Sequence, residues 1–277
     1  MISEALLLAS AWLWVPMSHG QALVCHTPEL VQCLAQLPRD ARQQLPPKRE
    51  LLKELGHRGA MAKPIDHPAI TGVVLLNPDN IPRLSSARWS GKLYSLALDN
   101  AVQMTLWHEL GHLAVTSSAS ALLTQYPLSG YQHEWLADTY LVWSLAQQGQ
   151  GRHLAWQQYH KRNLAVFDNV IALSHWSAPM LVQLLHSYSW QELGQFEDFD
   201  HLIDEIYPTL QQYQIDELNE FASLLHYLFG QGVNHRLPHY MFWRRAQMAD
   251  VIRPTLEHLM GKAQALAWLD EQTMSGD

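Results

Sequence analysis

His108, Glu109 and His112 stand in the order His-Glu-Leu-Gly-His, and on a helix this spacing builds a metal site with a base beside it. A 3.6-residue period stacks His108 and His112 on one face, with Glu109 roughly 100° round from the first histidine. Two imidazoles so placed can share a tetrahedral zinc ion, and the neighbouring carboxylate can reach a water on that ion. The chemistry this implies is metal-dependent hydrolysis.

The helix that carries these residues must pack on another side. Val102, Leu106, Leu110 and Leu113 recur at helical spacing on a stripe away from the two histidines, which leaves the histidine face available. Gly111 is a poor helix former, about 1 kcal/mol worse than Ala, but it removes a side chain where another backbone or a substrate could approach.

A zinc ion needs a third protein ligand. His133-Glu134-Trp135-Leu136-Ala137-Asp138 opens a second helical run through Tyr140, Leu141, Val142, Trp143 and Leu145, apolar nearly all round and therefore expected to be buried. Glu134 and Asp138 share one face of it at i,i+4. Two carboxylates in an apolar helix require compensation, which a metal ion with its histidines supplies. Glu134 is thus the expected third ligand, with His133 as its competitor, and Asp138 is the expected acceptor for the second ring N–H of a ligand histidine.

These residues together resemble the gluzincins, in which an HExxH helix is followed by a glutamate ligand within an ExxAD pattern. The matching positions are His108, Glu109, His112, Glu134, Ala137 and Asp138, and the short spacing is similar to that of the minigluzincins and of bacterial metallopeptidases like them. The resemblance spans roughly residues 70 to 190 and is strong at the two motifs. It implies a mainly helical α+β zincin-like fold: a small sheet, an HExxH active-site helix and a glutamate-ligand helix beneath it. It also implies that Asp138 serves His108. The metzincin pattern fails, because Val115 and Ser118 stand where that pattern needs Gly and His.

Two further elements follow from this reading. Peptidases of this kind hold an extended substrate at a sheet edge, and Ile70-Thr71-Gly72-Val73-Val74-Leu75-Leu76, closed by Asn77-Pro78-Asp79-Asn80, is the strand candidate, as core strand or as substrate edge. A hydrolase also needs a donor for the developing oxyanion. Ser174-His175-Trp176-Ser177-Ala178-Pro179 is similar to the histidine-bearing helix entry of minigluzincins, which makes His175 a candidate catalytic auxiliary. The Arg often found a turn later in that group is missing here, and His186, Tyr188 and His201 compete for the role.

The whole chain is consistent with one folded enzyme of 277 residues. Its apolar content of 48% and 11 tryptophans furnish a large core, and a net charge of -8 argues against nucleic acid or anionic membrane as the main partner. Ala5 to Met17 followed by Ser18-His19-Gly20-Gln21-Ala22 fits a secretory signal peptide cleaved after Gly20 or Ala22, although no Lys or Arg precedes the apolar run. The stretch is too short for a stable membrane span; a buried N-terminal helix is the other reading. Cys25 and Cys33 are the two cysteines, able to form one disulfide in an oxidising compartment and inert as thiols in the cytoplasm.

The expected organisation is a signal peptide over 1-22, a helical connector over 23-65, a zincin-like catalytic core over 66-190 and a helical C-terminal part over 191-277 packed on the core, closed by one helix from about Met241 to Leu269. The expected function is zinc-dependent peptide hydrolysis in the periplasm or outside the cell, with Zn2+ held by His108, His112 and Glu134, Glu109 as general base and a peptide or protein as substrate. A non-peptidase zinc hydrolase, a binding protein with a structural zinc closed by His133 or His175, and a cytoplasmic location are the alternatives.

Overall fold

The computed structural model describes residues 10–230 and 241–274. Its strands are β1 (Trp12–Pro16), β2 (Gln21–His26), β3 (Ala60–Pro64), β4 (Ile70–Leu76), β5 (Leu84–Trp89) and β6 (Lys92–Ala97). Between β2 and β3 lie the short helices α1 (Leu30–Leu34), α2 (Arg39–Gln43) and α3 (Lys48–Leu55); after β6 come α4 (Ala101–Thr116), α5 (Ala121–Thr124) and α6 (Gly130–Gln147). The remainder is helical: α7 (Arg152–Asp168), α8 (Ala178–Ser187), α9 (Trp190–Leu193), α10 (Phe199–Ile206), α11 (Ile215–Phe229), α12 (Phe242–Met260) and α13 (Lys262–Glu271). The fold is therefore α+β and mainly helical with a small sheet.

The residues group into two compact units. Of the described residues, one unit holds those up to Arg83, Asp99–Arg152 and Tyr188–Thr209; the other holds Leu84–Leu98, His153–Ser187 and those from Leu210 onward. This grouping cuts across the expected division, since a hairpin and two helices of the supposed core fall in the second unit and residues 191–209 fall in the first.

In the first unit four strands run in the order β1-β2-β4-β3, with β2 and β4 parallel and the other two pairings antiparallel. All seven residues of β4 are buried, because helices cover both faces of the strand. Val73 and Leu75 join Leu23, Cys25 and Met61 against the residues of α1 to α3. On the other face Gly72 receives Leu113 of α4, whose Cδ2 would lie 2.6 Å from a Cβ built on that glycine. Burial on two faces explains why Ile70–Leu76 reads as a continuous apolar run without alternation. It is an interior strand, so of its two expected roles it takes that of core.

The edge next to it is β3, within the stretch read as helical connector. Ala60-Met61-Ala62-Lys63 has weak β propensity, and its strand conformation comes from pairing with β4 and not from its own residues. Residues 1–9 of the expected signal segment lie outside the described residues. The rest of the apolar run is β1, a strand and not a buried helix, with Trp12 and Trp14 packed on the core; cleavage after Gly20 or Ala22 would detach β1 or cut into β2. Cys25 of β2 and Cys33 of α1 are joined as a disulfide with their Cα atoms 5.6 Å apart.

The second unit contains the β5–β6 hairpin, which the sequence reading did not anticipate. Its signal is Ser90-Gly91, both at positive φ (49° and 73°), the two-residue turn that suits hairpin twist. The unit's core holds a polar network: Asn163 donates to Thr255 Oγ1 at 2.8 Å and to the Val251 carbonyl at 3.1 Å, and Trp176 Nε1 donates to Asn163 Oδ1 at 2.8 Å. The expected single closing helix is two, broken at Gly261, whose φ of 83° caps α12 and starts α13. Among the described residues no helix is long and apolar enough to cross a membrane.

Candidate metal centre

Helix α4 is buried nearly all round. Its residues that are not buried are Thr105, His108, Glu109, His112 and Thr116, spaced as one narrow stripe of a 3.6-residue helix. The remaining surface packs on the sheet and on α6, so the chemistry-bearing side chains occupy the accessible face.

Helix α6 starts from a capping box in which Ser129 and Gln132 satisfy each other's backbone N–H groups, a device that stabilises a helix start by about 1 kcal/mol. It crosses α4 at Gly111. A Cβ at that position would stand 2.6 Å from the Ala137 carbonyl oxygen and 2.7 Å from its Cα. Glu134 and Asp138 flank Ala137 along α6, and His108 and His112 flank Gly111 along α4, so the contact of these two small residues brings four polar side chains into register.

The result is a cluster of His108, His112 and Glu134 whose ligand atoms lie within 4.8 Å of one another, and these three could hold a metal ion. The two histidine Nε2 atoms are 3.2 Å apart. His108 Nε2 is 3.5 Å from Glu134 Oε2, and His112 Nε2 is 3.6 Å from Glu134 Oε1. Around an ion with bonds of about 2.0–2.1 Å, neighbouring corners of a tetrahedron stand about 3.3 Å apart, so the spacing of the two imidazoles suits a single ion, and each imidazole faces a different oxygen of Glu134.

Asp138 is fully buried and its Oδ1 is 2.8 Å from His108 Nδ1. The carboxylate accepts the Nδ1–H, which leaves the Nε2 lone pair of His108 directed at the cluster. His133, the competing ligand, is not a member of the group. His175 lies in the second unit at the end of a 3-10 turn (Val170–His175), exposed, with Ser174 Oγ 2.9 Å from its Nδ1.

Glu109 lies beside the cluster. Its Oε2 accepts the Ala62 N–H at 2.8 Å. Burial pushes the Glu109 carboxyl above the usual carboxylate range; the charge of Glu134 adds to this, while His108, the Ala62 N–H and Arg58 pull it back.

Ala62 and Arg58 are the participants that sequence reasoning missed. Gly59 and Ile65, at the ends of β3, bond the β4 side through Asn77 and Thr71. With the period of two in an antiparallel ladder, this turns the backbone groups of Ala60, Ala62 and Pro64 to the open edge. Nothing in an Ala-rich segment announces such a role, because it is carried by the main chain. Comparison with protein-family models, curated proteins and solved structures finds no match to this chain.

Proposed function

We infer that this chain is a zinc-dependent hydrolase, and within that class a peptidase, in which His108, His112 and Glu134 hold the ion. One observation carries the reading: a three-member cluster of two imidazoles and a carboxylate, with the separate half-buried carboxylate of Glu109 next to it. A structural zinc takes four protein ligands, whereas a catalytic one takes three and leaves a position for water or substrate. Among the described residues the group has three members. When bound, zinc would polarise the substrate carbonyl and draw the pKa of a water from about 15.7 toward 7.

The chain's own groups do the rest. Asp138 keeps the His108 proton on Nδ1, so that Nε2 is available as a ligand. Glu109, anchored through Oε2 on the Ala62 N–H, takes the proton of the attacking water and returns it to the leaving amine. The open edge of β3 gives an extended peptide backbone groups to pair with beside Glu109, the strand-addition mode of peptide recognition. A zincin-like arrangement of sheet, α4 and α6 is part of the same proposal. The Cys25–Cys33 disulfide supports an oxidising location such as the periplasm or the cell exterior.

The test pairs metal analysis with activity. Purified protein is expected to carry about one zinc per chain and to cut members of a peptide library, and Glu109→Gln is expected to keep the zinc while hydrolysis drops at least a hundredfold, the scale of a general base. Full activity in Glu109→Gln would remove that residue from the role. A zinc-loaded protein that cuts no peptide but hydrolyses small esters or amides would move it to the non-peptidase hydrolases.

A further inference from the structure

Arg58 lies in the turn between α3 and β3, just ahead of the open edge that passes Glu109. Its guanidinium is pinned on one side: Nε donates to the Leu55 carbonyl at 3.3 Å, and Nη2 donates to the Glu54 carbonyl and approaches Met61 Sδ at 3.3 Å. The Arg58 backbone N–H also bonds the Leu55 carbonyl at 3.0 Å. These contacts employ Nε and Nη2 and leave the two N–H donors of Nη1 without a protein partner among the described residues. No carboxylate pairs with the group there, although the chain has an acidic excess of eight, and its charge is felt at Glu109. An exposed cation that is tied back on one side and carries no carboxylate partner is oriented for an anion, since part of the rotamer entropy of binding has already been lost.

The direction of the edge says which part of a peptide would arrive there. β3 runs from Ala60 to Pro64, with Ala62 level with Glu109. A peptide added in the slightly more stable antiparallel sense runs its C-terminal half back toward Ala60 and Arg58. The Arg58 main chain stands four positions before Ala62, but its guanidinium lies against Met61, so at about 3.4 Å per residue it falls within about three residues of the bond level with Glu109.

We propose that Arg58 is a specificity residue of the candidate site, binding through Nη1 a carboxylate carried two or three residues beyond the cleaved bond. The inference rests on the hydrolase reading above. Two sources supply that carboxylate: the free C-terminus of a short peptide, or an Asp or Glu side chain in a longer one.

The experiment uses the zinc-loaded full chain and two matched peptide pairs, one ending in free acid or amide, the other carrying Glu or Gln at the second position after the cleaved bond. In the wild type, kcat/KM is expected to favour the carboxylate member of at least one pair about tenfold or more, through KM. Which pair responds distinguishes terminus from side chain. Arg58→Gln is expected to bring that ratio to about one, and Arg58→Lys to restore part of it. Loss of the α3 carbonyl contacts could lower Tm in either variant, but a merely structural arginine would change both members alike and leave the ratio. Fluorescence anisotropy of the same peptides on Glu109→Gln gives the preference without turnover. Ratios near one in the wild type, or a ratio that Arg58→Gln leaves intact, overturn the proposal while the hydrolase reading stands. If no peptide is cut by the wild type or bound by Glu109→Gln, the peptidase reading fails and takes this inference with it.

Discussion

Gly111 and Ala137 are in backbone contact across α4 and α6, closely enough that a single methyl group on Gly111 would overlap the Ala137 carbonyl oxygen at 2.6 Å. This contact sets the distance between the helix that carries the two histidines and the helix that carries Glu134 and Asp138. In Gly111→Ala the gain in helix propensity is about 1 kcal/mol, whereas an overlap with main-chain atoms is relieved only by moving a whole helix and typically costs about 1–3 kcal/mol. The overlap is expected to win. Gly111→Ala should lower Tm and weaken zinc binding together, by thermal melting and chelator competition; a variant with raised Tm and unchanged zinc affinity would show that α4 and α6 can separate freely.

Asp138 and His108 form the next dependency. Asp138→Asn keeps the size of the side chain and an acceptor oxygen but removes the charge and adds an NH2 that can donate to Nδ1, 2.8 Å away, so the tautomer that frees Nε2 of His108 is no longer fixed. Metal affinity or activity should fall about 10- to 100-fold, the usual effect of losing such a partner. His112→Ala, which removes a ligand outright, should lose most of the metal. Equal zinc affinity in Asp138→Asn and wild type would refute the orienting role.

A pH dependence is expected from the second unit. His160 is buried, its Nδ1 is 3.0 Å from Thr255 Oγ1, and its ring stacks on His258 at 4.4 Å. Burial, and then the charge of His258, lower its pKa from 6.5 to about 3. Between those values the unfolded chain binds a proton that the folded chain does not, so stability rises with pH through this window. The contribution is fully present above pH 6.5 and lost as pH falls toward 3, on the order of 4 kcal/mol over the span. Urea midpoints at pH 7 and pH 4 should differ less in His160→Gln than in the wild type. An unchanged difference would assign the acid sensitivity to other groups.

The Cys25–Cys33 bridge closes a loop of sequence separation 8. On the chain-entropy scale this stabilises the fold by about 2–3 kcal/mol. Thiol titration of the unfolded protein without reductant should find no free thiol, and the double variant Cys25→Ala, Cys33→Ala should unfold at lower urea by that amount. Two titratable thiols in protein isolated under native conditions would place it in a reducing compartment.

His108, Glu109, His112, Glu134 and Asp138 could be read directly from the chain, because helical periodicity converts spacing along the sequence into shared faces. Ile70–Leu76 was legible as a strand from its β-branched apolar run and the turn residues that close it, but its place in the interior and not at a substrate edge was decided by the elements packed on either side. Tertiary structure alone decided what lies across from these elements. Ala60-Met61-Ala62 is a strand because β4 offers it a ladder, and Ala62 matters through a main-chain N–H that every residue except proline possesses. Arg58 became notable only when its neighbours were seen to engage three of its five donors. Gly111 announced a close approach, but that the approaching backbone belongs to Ala137, and that the β5–β6 hairpin and His175 belong to the second unit, depends on contacts between residues far apart in sequence. Local periodicity does not encode such contacts, since they arise from how apolar faces of many elements are buried together.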